Sequence, residues 1–249
     1  MCLLILIQGV DQDFPILVAS NRDEDRGRKA SPPGLFIGER LRMLSPRDRL
    51  GGGTWLAVNE RGLFAGVTNV AGAGHEPLPT TRGALPHLAL DHDNLPDAAA
   101  AVAAAVRRDR YNAFQLLLSD GCRARVLVHV DGRLTEQESK DPVLVLSNEH
   151  RLGELRVPDE LLLPERGAVV APGIAAEERL RALAPLLLDQ GEVTGHRILK
   201  KGDDSYGTVS STLIAVPRED LRRLIWRYAP GPPDETGYRS YGNLGKRLT

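Results

Sequence analysis

Cys2 is the residue of this chain whose type and place could do chemistry unaided. An initiator Met1 is normally trimmed when the next residue is small, and a chain beginning at Cys2 would carry a thiol and a free α-amine on one residue. The thiolate attacks, and the amine, with a pKa of about 8, serves as base near neutral pH. A second cluster, Ser20-Asn21-Arg22-Asp23-Glu24, is a dense polar run directly after apolar residues. A carboxylate such as Asp23 can accept a hydrogen bond from the α-amine and orient it. Arg22 can lower a thiol pKa or bind a substrate carboxylate through two parallel hydrogen bonds, and Asn21 stands beside it. Asn69 and Asn148 each follow a hydroxyl residue at an expected strand end, in Thr68-Asn69 and Ser147-Asn148. A side-chain amide there can donate to a developing oxyanion, and losing one such donor costs roughly 3–4 kcal/mol of transition-state stabilisation. None of the 6 histidines makes a metal-ligand spacing. His75, in the Gly-rich segment after Asn69, is the one best placed to line a site. Two cysteines, Cys2 and Cys122, give neither a disulfide framework nor a metal cluster, so no cofactor or metal is expected.

The elements that must position these residues follow from local pattern. Residues 3–7 and 16–19 read as strands joined by a polar turn, a hairpin that brings Cys2 to the end where residues 20–23 lie. The polar stretch 22–48, with Pro32-Pro33-Gly34 and many charges, reads as a loop over a site. Residues 54–58 and 63–68 form a hairpin around a turn ending in Gly62. The triple glycine 51–53 has no Gly-Lys-Ser/Thr after it, which argues against a nucleotide P-loop. Helices are expected at 81–90 and 98–108, the second with Asn94 or Asp97 as start signal and Pro96 in its opening turn. Strands are expected at 113–118, 125–130 and 143–147, with Asp120-Gly121 and Asp131-Gly132 as turn pairs. A helix at 175–188 carries Pro185 late in its length. A strand follows at 208–216, and the alternation near the end of 221–228 favours another. Strands joined by hairpins, with helices in blocks, imply antiparallel sheets covered by helices.

The chain has 249 residues, 42% of them apolar and 26% charged, with a net charge of −1. That is the composition of a globular protein, read here as one domain over residues 1–249. The charge balance argues against a dedicated nucleic-acid binder. No apolar run reaches the roughly 18 residues of a membrane span, and the start lacks the basic segment of a secretory signal. A cytoplasmic location is the expectation, with homo-oligomer formation left open.

Met1-Cys2, the tetrapeptide Asn21-Arg22-Asp23-Glu24, Gly52-Gly53-Thr54-Trp55 with Leu56 to Asn59, and Gly62 to Asn69 together resemble the NRDE family. Thr81-Arg82-Gly83-Ala84-Leu85, Leu146-Ser147-Asn148 and Tyr206 to Thr212 resemble further family segments. That family includes the transport and Golgi organisation protein 2 homologues and is similar to the N-terminal nucleophile hydrolases, above all the choloylglycine hydrolase and acid amidase branch. The resemblance implies an α+β fold, a four-layer αββα sandwich of two antiparallel sheets. It implies Cys2 as nucleophile, Asp23 as the acid holding the α-amine, Asn69 as oxyanion donor and Asn148 as a second polar position. Asn21, Arg22, Trp55 and His75 are the residues expected to face substrate. It also leads one to expect an arginine just before Asn21 and another within residues 206–212; Ser20 and Val209 hold those places here.

Two functions follow. The first is an N-terminal-cysteine hydrolase of a linear amide bond in an acylated small molecule. The second, implied by the Golgi-organisation homologues, is a non-catalytic haem, lipid or acyl-CoA binding or trafficking protein on the same scaffold. A protein-interaction module ranks last, because the chain shows no obvious exposed apolar stripe.

Overall fold

The computed structural model describes residues 2–74, 76–77, 80–149, 173–191, 197–202 and 205–249. Within them β1 (Leu3–Gln8) and β2 (Ile16–Asp25) are central to a six-stranded sheet, with β10 (Val143–Ser147), β11 (Tyr206–Val216), β12 (Ile225–Ala229) and β13 (Arg239–Ser240) in the order β10-β1-β2-β11-β12-β13. The second sheet has seven strands in sequence order: β3 (Ala30–Ile37), β4 (Arg42–Asp48), β5 (Leu56–Asn59), β6 (Phe64–Asn69), β7 (Phe114–Ser119), β8 (Ala124–Val130) and β9 (Arg133–Ser139). Every strand pairing is antiparallel.

The unbroken apolar run of β1 is explained by burial on both faces. Leu4 and Leu6 join Val18, Phe64, Leu117 and Trp226 between the sheets. Leu3, Ile5 and Ile7 join Leu17 and Ala19 under the helix α3 (Ala176–Leu183) through Leu180 and Leu183. On the far side, α1 (Ala84–Leu90) and α2 (Leu95–Arg108) cover Ala65, Leu116 and Leu118 of the second sheet. The succession of layers is thus helix, sheet, sheet, helix, as expected. No helix among the described residues is long and apolar enough to cross a membrane.

Several boundaries differ from local expectation. The stretch 22–48 is not a loop: β2 runs on to Asp25, and β3 and β4 form a hairpin. Pro32 and Pro33 sit where the β3–β4 register shifts, on a strand at the sheet edge, a place that tolerates the missing N–H. The other edge strand of that sheet, β9, is largely exposed and charged, so no apolar alternation announces it. The α-helix of residues 175–188 ends at Leu183, and Pro185 lies in the 3₁₀ turn Ala184–Leu188 that follows. Residues 221–228 divide into a 3₁₀ turn, Leu221–Arg223, and β12. Helix α1 begins at Ala84, three residues later than its pattern suggests, and α2 begins at Leu95, three residues earlier, with Asn94, one of its two candidate start signals, as the cap whose side chain accepts from the Asp97 N–H.

Candidate active site

Pairing of β1 with β2 sets Leu3 opposite Asn21, so the chain immediately before β1 meets the polar end of β2. There the Asp23 backbone N–H donates to Cys2 Sγ at 3.4 Å, and the thiol donates towards the Asp23 carbonyl at 3.5 Å. From the other side, the Asn148 N–H donates to the Cys2 carbonyl at 3.2 Å. The position of Cys2 is therefore fixed by three backbone groups, supplied by the strand ends on either side of β1.

Period-two alternation along β2 sends its polar residues to two faces. Asn21 points outward and is fully buried, its amide donating to the Leu187 carbonyl at 2.8 Å and the Ile198 carbonyl at 3.4 Å. It ties the sheet to its outer layer and does not line the pocket. The Asp23 carboxylate accepts from Thr208 Oγ1 at 2.7 Å, and the Lys200 N–H in turn donates to Thr208 Oγ1 at 3.0 Å. Burial pushes the Asp23 carboxyl above its ordinary value. Arg22 lies on the inner face together with Ser20. Its guanidinium stands 4.6 Å over the Trp55 ring and 3.5 Å from Glu24, and Nη1 is buried with no hydrogen-bond acceptor among the described residues. A cation held over an indole face is stabilised by the ring quadrupole.

The two places where the resemblance called for arginine hold other devices. The Ser20 hydroxyl donates to the Leu3 carbonyl at 2.7 Å, stitching β2 to β1. Val209 is the extra residue where the β11–β2 register shifts between Thr208 and Ser210. The bulge sets Thr208 opposite Asp23 and Ser210 opposite Arg22.

A pocket of about 80 Å³ opens over Cys2, lined among others by Arg22, Asp23, Trp55 and Asn69. Burial, with the Asp23 charge second, pushes the Cys2 thiol up to about 11. In this arrangement the sulfur is a protonated thiol at neutral pH and needs a base close by. Asn148, nine-tenths buried, touches Cys2 through its backbone, and its Oδ1 has no hydrogen-bond partner among the described residues. His75 lies outside the described residues. No group of three or more His, Cys, Asp or Glu among the described residues could hold a metal ion.

Local pattern did not point to four further lining residues: Arg28, Asp48, Thr54 and Arg82. Arg28 Nη2, in the turn between β2 and β3, donates to Asp48 Oδ2 at the end of β4 at 2.5 Å. The triple glycine explains Arg82. A Cβ on Gly53 would overlap the Gly83 carbonyl, and the Thr54 N–H donates to that carbonyl at 2.8 Å. The glycines are thus a close-approach surface for the turn before α1, and that turn carries Arg82 to the pocket.

The family profile described as Transport and Golgi organisation 2 matches residues 1–158. No curated protein matches the chain. Among solved structures, the C2A mutant of the conjugated bile acid hydrolase from Clostridium perfringens is similar, at 10% identity and a TM-score of 0.51, over 97% of this chain and 92% of that one. The Caenorhabditis elegans ortholog of N-acylethanolamine-hydrolyzing acid amidase aligns at 8% identity and a TM-score of 0.49, over 86% and 92%. The likeness to the bile acid hydrolase shows the N-terminal nucleophile hydrolase fold.

Proposed function

This chain belongs to the Transport and Golgi organisation 2 family, and from that premise we propose that it is a cysteine-dependent hydrolase of a linear amide bond, with Cys2 as nucleophile. The observation that carries this reading is the Cys2 sulfur, gripped by the Asp23 backbone and open to a pocket that Asn69 and two cations, Arg22 and Arg82, also line. The fold it shares with a conjugated bile acid hydrolase is in keeping with that chemistry.

The reading requires a processed chain, with Met1 removed and the α-amine on Cys2. The amine takes the thiol proton, and the Asp23 carboxylate holds the resulting ammonium. The thiolate adds to the amide carbonyl, and the Asn69 amide donates to the oxygen as its charge develops. The C–N bond then breaks, the departing nitrogen takes the proton from the ammonium, and a thioester to Cys2 remains. Water, losing its proton to the α-amine, attacks that thioester. The acid leaves and the thiol is restored. Asn148 contributes by holding the Cys2 backbone. The Arg22 charge favours the thiolate and opposes the upward push of burial.

A haem or acyl-CoA binding role would call for a roomy, mostly apolar cavity of about 300–1,000 Å³. The pocket over Cys2 is smaller, at about 80 Å³, and three arginines and three carboxylates line it. Its character therefore favours a small polar amide.

The test begins with intact mass, to establish removal of Met1. Short-chain acyl amides are then assayed with wild type, Cys2→Ala and Cys2→Ser. The expected result is turnover, or a trapped acyl adduct on Cys2, that both variants lose. Absence of any Cys2-dependent turnover or acylation in the processed protein overturns the reading.

A further inference from the structure

We infer that Arg82 sets the substrate class of this site by docking a carboxylate carried on the amide, so that anionic amides are preferred over neutral ones. The inference rests on the amide-hydrolase reading and adds the charge of the substrate to it.

Three arginines line the pocket, and two are neutralised within it. Arg28 donates from Nε at 3.0 Å and from Nη2 at 2.5 Å to Asp48 Oδ2, with Glu24 at 3.6 Å. Arg22 stands 3.5 Å from Glu24 and over Trp55. Arg82 differs: among the described residues no carboxylate lies within ion-pair distance of it. Its one hydrogen bond there runs from Nη1 to the Ala113 carbonyl at 2.9 Å. Nε and Nη2 are left to serve another acceptor.

The side chain is nonetheless half-buried, and its setting is rigid. The Gly83 N–H donates to Thr81 Oγ1 at 3.2 Å, and the Gly83 carbonyl is held by the Thr54 N–H against Gly53. A cation drawn out of water without a counter-ion costs free energy, which a bound anion restores. Burial lowers the Arg82 pKa, and the Glu24 charge and, after it, a thiolate at Cys2 raise it, which places Arg82 and Cys2 within electrostatic reach.

The charge balance names the anion. Arg28 offsets Asp48 and Arg22 offsets Glu24, while Asp23 is committed to the α-amine in the processed chain. One positive charge remains, which one carboxylate satisfies. A dianion would leave an excess of negative charge beside Glu24 and Asp23. The planar guanidinium fork matches a carboxylate in shape as well as charge.

The carboxylate could sit on the amine side or the acyl side of the scissile bond, and three probes separate these. N-butyrylglycine carries it on the amine side, N-propylsuccinamate on the acyl side, and N-(2-hydroxyethyl)butyramide lacks it. The processed wild type is expected to prefer at least one charged probe in kcat/KM. Arg82→Gln should shrink that preference by about tenfold to a hundredfold, and Arg82→Lys should retain part of it. Equal rates on charged and neutral probes in wild type, or a preference that survives Arg82→Gln, overturns the inference. If Arg82→Gln does not fold, competitive inhibition of wild type by propionate but not by 1-propanol supports it, and no difference between the two overturns it.

Loss of all Cys2-dependent turnover would defeat the hydrolase reading alone. Calorimetric titration of N-butyrylglycine into Cys2→Ala, with and without Arg82→Gln, then decides the present point. An affinity at least tenfold weaker without Arg82 supports it, and equal affinity or no binding to either overturns it.

Discussion

Asp23 grips the Cys2 sulfur with its backbone alone, donating from N–H at 3.4 Å and presenting its carbonyl at 3.5 Å, while its carboxylate engages Thr208 on the other face of the sheet. On the proposed mechanism, placement of the sulfur and control of the proton would therefore be separate tasks of one residue. A substitution that keeps the backbone can remove the second and leave the first.

Asp23→Asn should be lost for catalysis and gained for stability. Burial raises the Asp23 pKa, so the folded protein holds the proton more tightly than the unfolded chain. The stabilisation is fully present below the unfolded pKa and is lost as pH rises through the folded one. At neutral pH the ionised carboxylate is thus held at a cost, which Asn avoids. The variant should melt no lower than wild type at pH 7, with turnover down by about 10²-fold or more. Calorimetry from pH 4 to 7 and a turnover assay check both, and a lower melting temperature at pH 7 refutes the first part.

Cys2 and Cys122 should label at different rates in the chain that keeps Met1. Cys122 is exposed, whereas Cys2 is half-buried and desolvation pushes its thiol up to about 11. Iodoacetamide at pH 8 should modify Cys122 first, and Cys2 labelling should climb towards pH 11. Removing Met1 should move the Cys2 profile to lower pH, because the amine then accepts the thiol proton. Peptide mass spectrometry reads both sites. Faster labelling of Cys2 than of Cys122 at pH 8 in the unprocessed chain contradicts the prediction.

His87 should impose a loss of stability in mild acid. It is buried against Phe36, with ring centroids 3.9 Å apart, and shares a 2.9 Å hydrogen bond with Ser45. Burial pushes its pKa down to about 4. A histidine with a lowered folded pKa adds stability that is complete above its unfolded pKa of about 6.5 and is lost as pH falls through about 4. Urea unfolding should show a drop on the order of 3 kcal/mol over that window, and His87→Gln should flatten it. An equally steep drop in the variant places the effect elsewhere.

Gly53→Ala should destabilise the protein by roughly 1–3 kcal/mol, the cost of forcing a methyl into packed backbone. Each kcal/mol lowers the melting temperature by about 2–4 °C at this size. Gly34→Ala is the control, since a Cβ there meets nothing within 4 Å. Because the Gly53 contact also holds the turn that carries Arg82, selectivity between charged and neutral amides should fall along with stability. Equal melting of the two variants counts against the close-approach role of Gly53.

Much of the fold was legible in the sequence where burial imposes a pattern. The two-sided core of β1, the Asn94 cap of α2 and the Asp131-Gly132 turn, with φ of 50° and 74°, all carry local signals. The edge strands β3 and β9 carry none, because an edge need not be apolar. Cys2, Arg22, Asp23 and Asn69 were readable as polar residues at strand ends, and they line one pocket. Thr208 was not, because it reaches Asp23 only through a pairing that spans 185 residues. Nor was Arg82, whose place depends on two glycines touching across different elements. Asn21 was readable as important but not as facing the outer layer, since the face depends on the register of β2.

That register has a hereditary consequence. Asn21, Arg22 and Asp23 do unlike work only because neighbours on a strand point to opposite faces. A single substitution in the tetrapeptide disables one job and leaves the others standing. An in-frame loss of one codon between positions 16 and 20 would turn Arg22 into the helix layer and Asn21 and Asp23 towards the cleft. Tolerance to point mutation along β2 should therefore coexist with intolerance of every one-codon deletion there.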